Sequence, residues 1–133
     1  MATVAESATP DTPFYRLGGH EAFQAICDRF YVLMDEDPAY AEVRAMHAED
    51  LSRIKVALAQ FLAGWAGGPR DWFEQNPDLC MMSVHKPYTI TREAAAQWAA
   101  CMQRAIAEVA PQPADMAKGM GEALADLARG MGR

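Results

Sequence analysis

Basic residues, cysteines and histidines are all scarce in this sequence of 133 residues, and each scarcity removes a class of function. Lys and Arg number 12 against 18 Asp and Glu, for a net charge of −6, and no segment gathers the basic residues together. A polyanion such as nucleic acid therefore finds no electrostatic footprint. Three cysteines, Cys27, Cys80 and Cys101, form no CxxC pair and leave one over if two bridge, so neither a disulfide framework nor a zinc cluster is expected. Long apolar runs are missing too. The longest, 57–68, is broken by Gln60 and falls well short of the roughly 20 residues that cross a bilayer. Residues 1–13 hold no Lys or Arg and no apolar stretch of the secretory kind, which predicts a cytoplasmic protein. The GxSxG, HExxH, P-loop and GxGxxG patterns are absent, and Ser7, Ser52 and Ser83 have no histidine at a telling spacing. Hydrolase and nucleotide readings fall with them.

What remains is apolar and periodic. Apolar residues make up 51% and charged residues 23%, enough for one globular core. After a loose leader over 1–13, in which Pro10 and Pro13 discourage a helix, apolar positions 23, 26, 27, 30, 33 and 34 mark one face of a helix over about 20–36. Asp37-Pro38 reads as a cap and first position of a short element toward Met46. Leu51, Ile54, Leu58, Phe61, Leu62 and Trp65 stripe the next helix, stopped at Gly67-Gly68-Pro69. From there to Thr89 the helical period is lost, and irregular chain with one turn of helix is expected. Helices return over about 91–109, with Ala94, Trp98, Cys101, Met102, Ala105 and Val109 on one face, and over 114–130, with Met116, Met120, Ala123, Leu124, Leu127 and Met131. No strand-like alternation appears, so the class is all-α. Yet helical bundles prefer connections of about 2–8 residues, and about twenty separate the third and fourth main helices here. Something other than helix must organise that segment.

Only three histidines are available for metal or acid–base chemistry. His20, just after Gly18-Gly19, reads as a surface residue. His85, among Met81, Met82, Val84 and Tyr88, and His47, beside Met46, read on composition alone as packed, hydrogen-bonded core residues before they read as ligands. A lone histidine can ligate a metal that something else already holds, as in haem, where the porphyrin supplies four nitrogens and the protein one axial imidazole. That chemistry fits this inventory.

Six motifs sharpen the reading. Phe14-Tyr15-Arg16-Leu17-Gly18-Gly19, Asp28-Arg29-Phe30-Tyr31, Met46-His47 ahead of Asp50-Leu51, Phe61-Leu62-Ala63-Gly64-Trp65-Ala66-Gly67-Gly68-Pro69, His85-Lys86-Pro87-Tyr88-Thr89-Ile90 and Trp98-Ala99-Ala100-Cys101-Met102 stand in order along the chain. Over about 14–109 the sequence resembles the group II truncated, two-over-two haemoglobins. The resemblance implies a truncated globin-like domain over 14–133, a two-over-two helical sandwich around a pocket for haem b (iron protoporphyrin IX). It implies His85 as the iron ligand, Tyr31 and Trp98 as distal hydrogen-bond donors, and His47 at the edge of the distal pocket. Leu58 and Ile54 fall at distal positions of the adjoining helix, and Phe61, Trp65 and Tyr88 against the porphyrin. Where the family usually has arginine just before the iron ligand, Val84 stands here, leaving Lys86, Arg92 and Arg53 as alternative cations for the haem propionates.

Oxygen on ferrous iron carries partial negative charge, so polar hydrogens from Tyr31 and Trp98, with His47 as a third donor, would hold it tightly. Plain core packing is the alternative for Tyr31 and Trp98. The implied function is binding of oxygen, carbon monoxide or nitric oxide, including oxygen transport, by a monomer or weak homodimer with no membrane or nucleic-acid partner. Two alternatives stand beside it. One is redox chemistry at the same iron, meaning nitric oxide dioxygenation, peroxide turnover or nitrite reduction, fed by a reductase; the other is a haem-free helical interaction module.

Overall fold

The computed structural model describes residues 10–133, so most of the expected leader lies outside the described residues. Pro13, grouped with that leader as a helix breaker, instead opens the first helix, α1 (Pro13–Arg16). A proline in the first turn loses no hydrogen bond, because the N–H it lacks would have had no partner there. Its neighbour Phe14 is buried and donates its N–H to the carbonyl of Ala66, 3.0 Å away.

Helix α2 (Gly19–Glu36) supplies the centre of the core. Phe23, Ile26, Cys27, Phe30, Leu33 and Met34 are all buried, as their spacing predicts. Each such large apolar side chain contributes roughly 1.5–3 kcal/mol through burial. After α2 the Asp37 carboxylate accepts from the Ala39 N–H at 2.9 Å, starting the expected short element. It divides into a 3-10 turn (Pro38–Tyr40) and α3 (Ala41–Ala45). Helix α4 (Ser52–Trp65) follows, and Gly67 then turns the chain at φ +90°, where an added Cβ would lie 2.6 Å from that of Thr12.

The segment expected to be irregular, with a single turn, contains two short helices, α5 (Asp71–Gln75) and α6 (Met81–His85). Both have only five residues, too few for a 3.6-residue period to show. Helix α7 (Arg92–Val109) begins at Thr91, whose hydroxyl accepts from the Ala94 N–H at 3.0 Å, and α8 (Ala114–Arg129) completes the order.

Helix α2 packs on α4 and α7, and α7 on α8, giving the expected all-α sandwich of two helical layers. The buried face of α8 is shifted from the predicted one. Ala117, Gly121 and Ala125 are buried with Met120 and Leu124, while Ala123 is exposed. Small residues face α7 because the helices approach closely: a Cβ on Gly121 would touch Ile106 at 3.4 Å. Ile54 and Leu127 are 38% and 40% exposed, although both sit on predicted apolar stripes, because both face a cavity instead of the core.

Candidate functional site

That cavity has a volume of about 960 Å³. Small-molecule and cofactor sites span about 300–1,000 Å³, so it lies at the large end of the range. Helix α4 forms one wall through Ile54, Ala57, Leu58 and Phe61. Trp72 of α5 extends it, its ring 5.3 Å from that of Phe61 in an edge-on contact. Ala94, Ala95 and Trp98 of α7 and Leu124, Leu127 and Ala128 of α8 also line the cavity, joined by Met131.

Three polar candidates are drawn together by ring contacts. Trp98 packs edge-on against Phe30 at 5.1 Å, Phe30 against Tyr31 at 4.8 Å, and Tyr31 against His47 at 5.8 Å. Tyr31, Trp98 and His47 all line the cavity. Neither the Tyr31 hydroxyl nor the Trp98 indole N–H has a hydrogen-bond partner among the described residues. No fully buried side-chain nitrogen or oxygen among those residues lacks a partner, so the Tyr31 hydroxyl must reach accessible space, although the residue is only 2% exposed. Burial, reinforced by the thiols of Cys27 and Cys101, pushes the phenol well above its usual range. It therefore stays protonated, a donor with its hydrogen unspent.

His47 departs from the expected donor role. Its Nδ1 lies 2.8 Å from the Val43 carbonyl oxygen, which can only accept, so Nδ1 carries the hydrogen and Nε2 is left as an acceptor. Burial first, helped by the nearby Arg44 guanidinium, lowers the His47 pKa against the raising effect of that hydrogen bond. The neutral ring is favoured.

His85 ends α6 and lines the same cavity. The short helix is fixed by a capping box: the Ser83 N–H donates to Cys80 Sγ at 3.4 Å while Ser83 Oγ accepts from the Cys80 N–H at 2.8 Å. Residue pattern alone assigns Cys80 no part; in the fold it begins the turn that carries the imidazole. Cys27 and Cys101 are buried core residues whose thiols are pushed up to about 12, chiefly by burial.

Of the remaining candidates, Leu58, Ile54, Phe61 and Tyr88 line the cavity, whereas Trp65 and Lys86 do not. Trp65 sits at the end of α4 and packs against the hydrophobic core, and Lys86 is exposed beyond the end of α6. Trp72 and the α8 wall went unassigned in the sequence. The α8 wall was visible only as an apolar stripe, and the Trp72-Phe73 pair only as aromatics amid turn residues.

The lining suits a large, flat, apolar ligand bearing a metal. It offers aromatic and aliphatic faces, one imidazole at the end of α6, and two unspent hydrogens on Tyr31 and Trp98. Among the described residues no cluster of three or more His, Cys, Asp or Glu could hold a metal ion, so those residues do not build a metal site by themselves. A macrocycle that brings four of its own ligands is the kind of cofactor this donor set fits.

Comparison with known proteins agrees. A model of the bacterial-like globin family matches residues 12–131. The group 2 truncated hemoglobin YjbI of Bacillus subtilis (strain 168) is 28% identical over 95 residues, covering 71% of this chain and 70% of its own. A cold-adapted truncated hemoglobin from the Antarctic marine bacterium Pseudoalteromonas haloplanktis TAC125 is 30% identical and superposes with a TM-score of 0.86 over 92% of this chain and 98% of its own. The group II 2-on-2 hemoglobin from Agrobacterium tumefaciens is 28% identical, with a TM-score of 0.87 over 96% of this chain and 98% of its own. With fold, cavity and sequence in agreement, the chain belongs to the bacterial-like globin family, for which haem is the implied cofactor.

Proposed function

We propose that this globin binds haem b in the cavity through His85 and takes up a diatomic gas such as oxygen beside Tyr31 and Trp98. When bound, the haem supplies an iron that accepts one imidazole from the protein and one small gas molecule. The chain does the rest. The Cys80–Ser83 capping box holds the turn that ends in His85. Tyr31 and Trp98 offer hydrogens to a ligand that acquires negative charge, and such charge-assisted bonds exceed neutral ones. His47, as an acceptor, helps orient polar hydrogens nearby. Apolar side chains of α4 and α8 exclude water from the remaining walls.

The observation that carries this reading is the pair of unspent hydrogens on Tyr31 and Trp98 in a cavity that also presents an imidazole. A helical module working without a cofactor would gain nothing from about 960 Å³ of apolar cavity. No described helix is long and apolar enough to cross a membrane, and we place the protein's work in the cytoplasm. The test is spectroscopic. Wild type reconstituted with haem is expected to give the intense Soret band and a histidine-ligated ferrous spectrum. His85→Ala is expected to lose that ligation and recover it when free imidazole is added. Identical spectra for the two proteins would remove His85 from the iron.

A further inference from the structure

A porphyrin of the haem b kind carries two carboxylates, and a mostly apolar cavity holds a carboxylate poorly unless a cation meets it. The position that would carry such a cation next to His85 is Val84, which is apolar and lines the cavity. The three substitutes the sequence leaves open are all exposed, and Lys86 and Arg92 are absent from the lining. Arg53 lines the cavity, and it is the only Lys or Arg among the described residues that does.

Arg53 is also uncommitted. Arg16, Arg29, Arg44, Arg104 and Arg129 all take part in ion pairs, and Arg70 lies over the Phe73 ring at 4.5 Å. Arg53 has no ion pair and no hydrogen bond among the described residues. It stands in the first turn of α4, beside the exposed Ile54, at the mouth of the cavity. One carboxylate shares that mouth. Asp50 accepts from the Ser52 N–H at 2.9 Å and from the Ser52 hydroxyl, which hold its pKa low and commit its charge to the start of α4.

We propose that Arg53 holds the carboxylate arms of the porphyrin, and that through it the protein selects a free-acid porphyrin over a neutral ester. The proposal rests on the cavity being a porphyrin site but not on His85 ligating iron. A guanidinium suits the task because its planar fork matches a carboxylate with two parallel hydrogen bonds.

Metal-free protoporphyrin IX and its dimethyl ester, titrated into the full apo chain and followed by tryptophan quenching, remove the iron bond from the comparison. Wild type is expected to bind the diacid more tightly than the ester. Arg53→Gln should lower affinity for the diacid on the order of tenfold and leave the ester unchanged. Arg53→Lys should restore part of the loss, and thermal melts of the apo variants should match wild type. With haem itself, Arg53→Gln should speed transfer of the cofactor to an excess of acceptor apoglobin by a similar factor. Equal affinity of Arg53→Gln and wild type for the diacid would overturn the proposal, as would a parallel loss for diacid and ester. Failure of wild type to bind either porphyrin would overturn the cavity assignment and this inference with it. Loss of iron ligation in His85→Ala with the diacid preference intact would leave Arg53 in its role.

Discussion

Tyr31 joins a buried ring to a hydroxyl that no described residue hydrogen-bonds, and the two can be separated by experiment. Phenylalanine at this position keeps the edge-on packing against Phe30 and removes only the hydroxyl. A hydrogen bond to a charged partner is worth about 1.5–3 kcal/mol. Tyr31→Phe is therefore expected to speed oxygen release from the haem-loaded protein by roughly ten- to a hundredfold, read by stopped-flow displacement with carbon monoxide. An unchanged rate would mean that the ligand does not meet this hydroxyl. The sequence shows Tyr31 only as an aromatic beside an apolar stripe, and family resemblance picks it out. The acceptor state of His47 is less legible still, because it depends on a carbonyl one helical turn earlier, at Val43, and backbone geometry leaves no trace in residue type.

At the scale of elements, legibility follows length. Helices α2, α4, α7 and α8 run 18, 14, 18 and 16 residues, long enough for their periods to emerge from the sequence. Helices α5 and α6 are single turns fixed by contacts distant in sequence or by a local cap. The joint between α4 and α5 is the tightest of these: a Cβ on Gly64 would lie 2.6 Å from the Phe73 ring. The ring cannot retreat freely, since it packs on Phe61 and Trp72 and carries Arg70 over its face. Gly64→Ala should destabilise the protein by about 1–3 kcal/mol, the usual range for overpacking, measured as a lower midpoint in urea. It should also disturb the cavity wall at Trp72. A midpoint equal to that of wild type would show that α5 gives way at no cost.

For the molecule as a whole, exposed ion pairs link α2 and the turn that follows it to α7. Arg104 on α7 meets Asp37 at 2.7 Å and Glu108 at 2.9 Å, and Glu108 in turn meets Arg29 of α2 at 2.6 Å. These groups are solvent-exposed, so each pair contributes little by itself. The Ala39 N–H, then Arg104, hold the Asp37 carboxyl below its usual value of 3.8. A group whose folded pKa is lowered adds stability above its usual pKa, and that stability is lost as pH falls through the folded value. Asp37→Asn, which keeps an acceptor for Ala39 but not the charge, should melt slightly lower than wild type at about pH 7, with the gap narrowing as pH falls below 3.8 and through the lowered folded value. A gap that persists in acid would assign the effect to packing.

The cavity draws its walls from distant parts of the chain: Tyr31 from α2, Phe61 from α4, His85 from α6, and last Leu124, Leu127 and Met131. The Arg133 N–H, donating to the Ile90 carbonyl at 3.0 Å, ties that final stretch to the segment ahead of α7. On the ribosome, the side formed by α8 emerges after every other. A nascent polypeptide halted before residue 124 would show an open apolar trough where the folded chain has a walled cavity, so the pocket takes its shape only once α8 has emerged and docked.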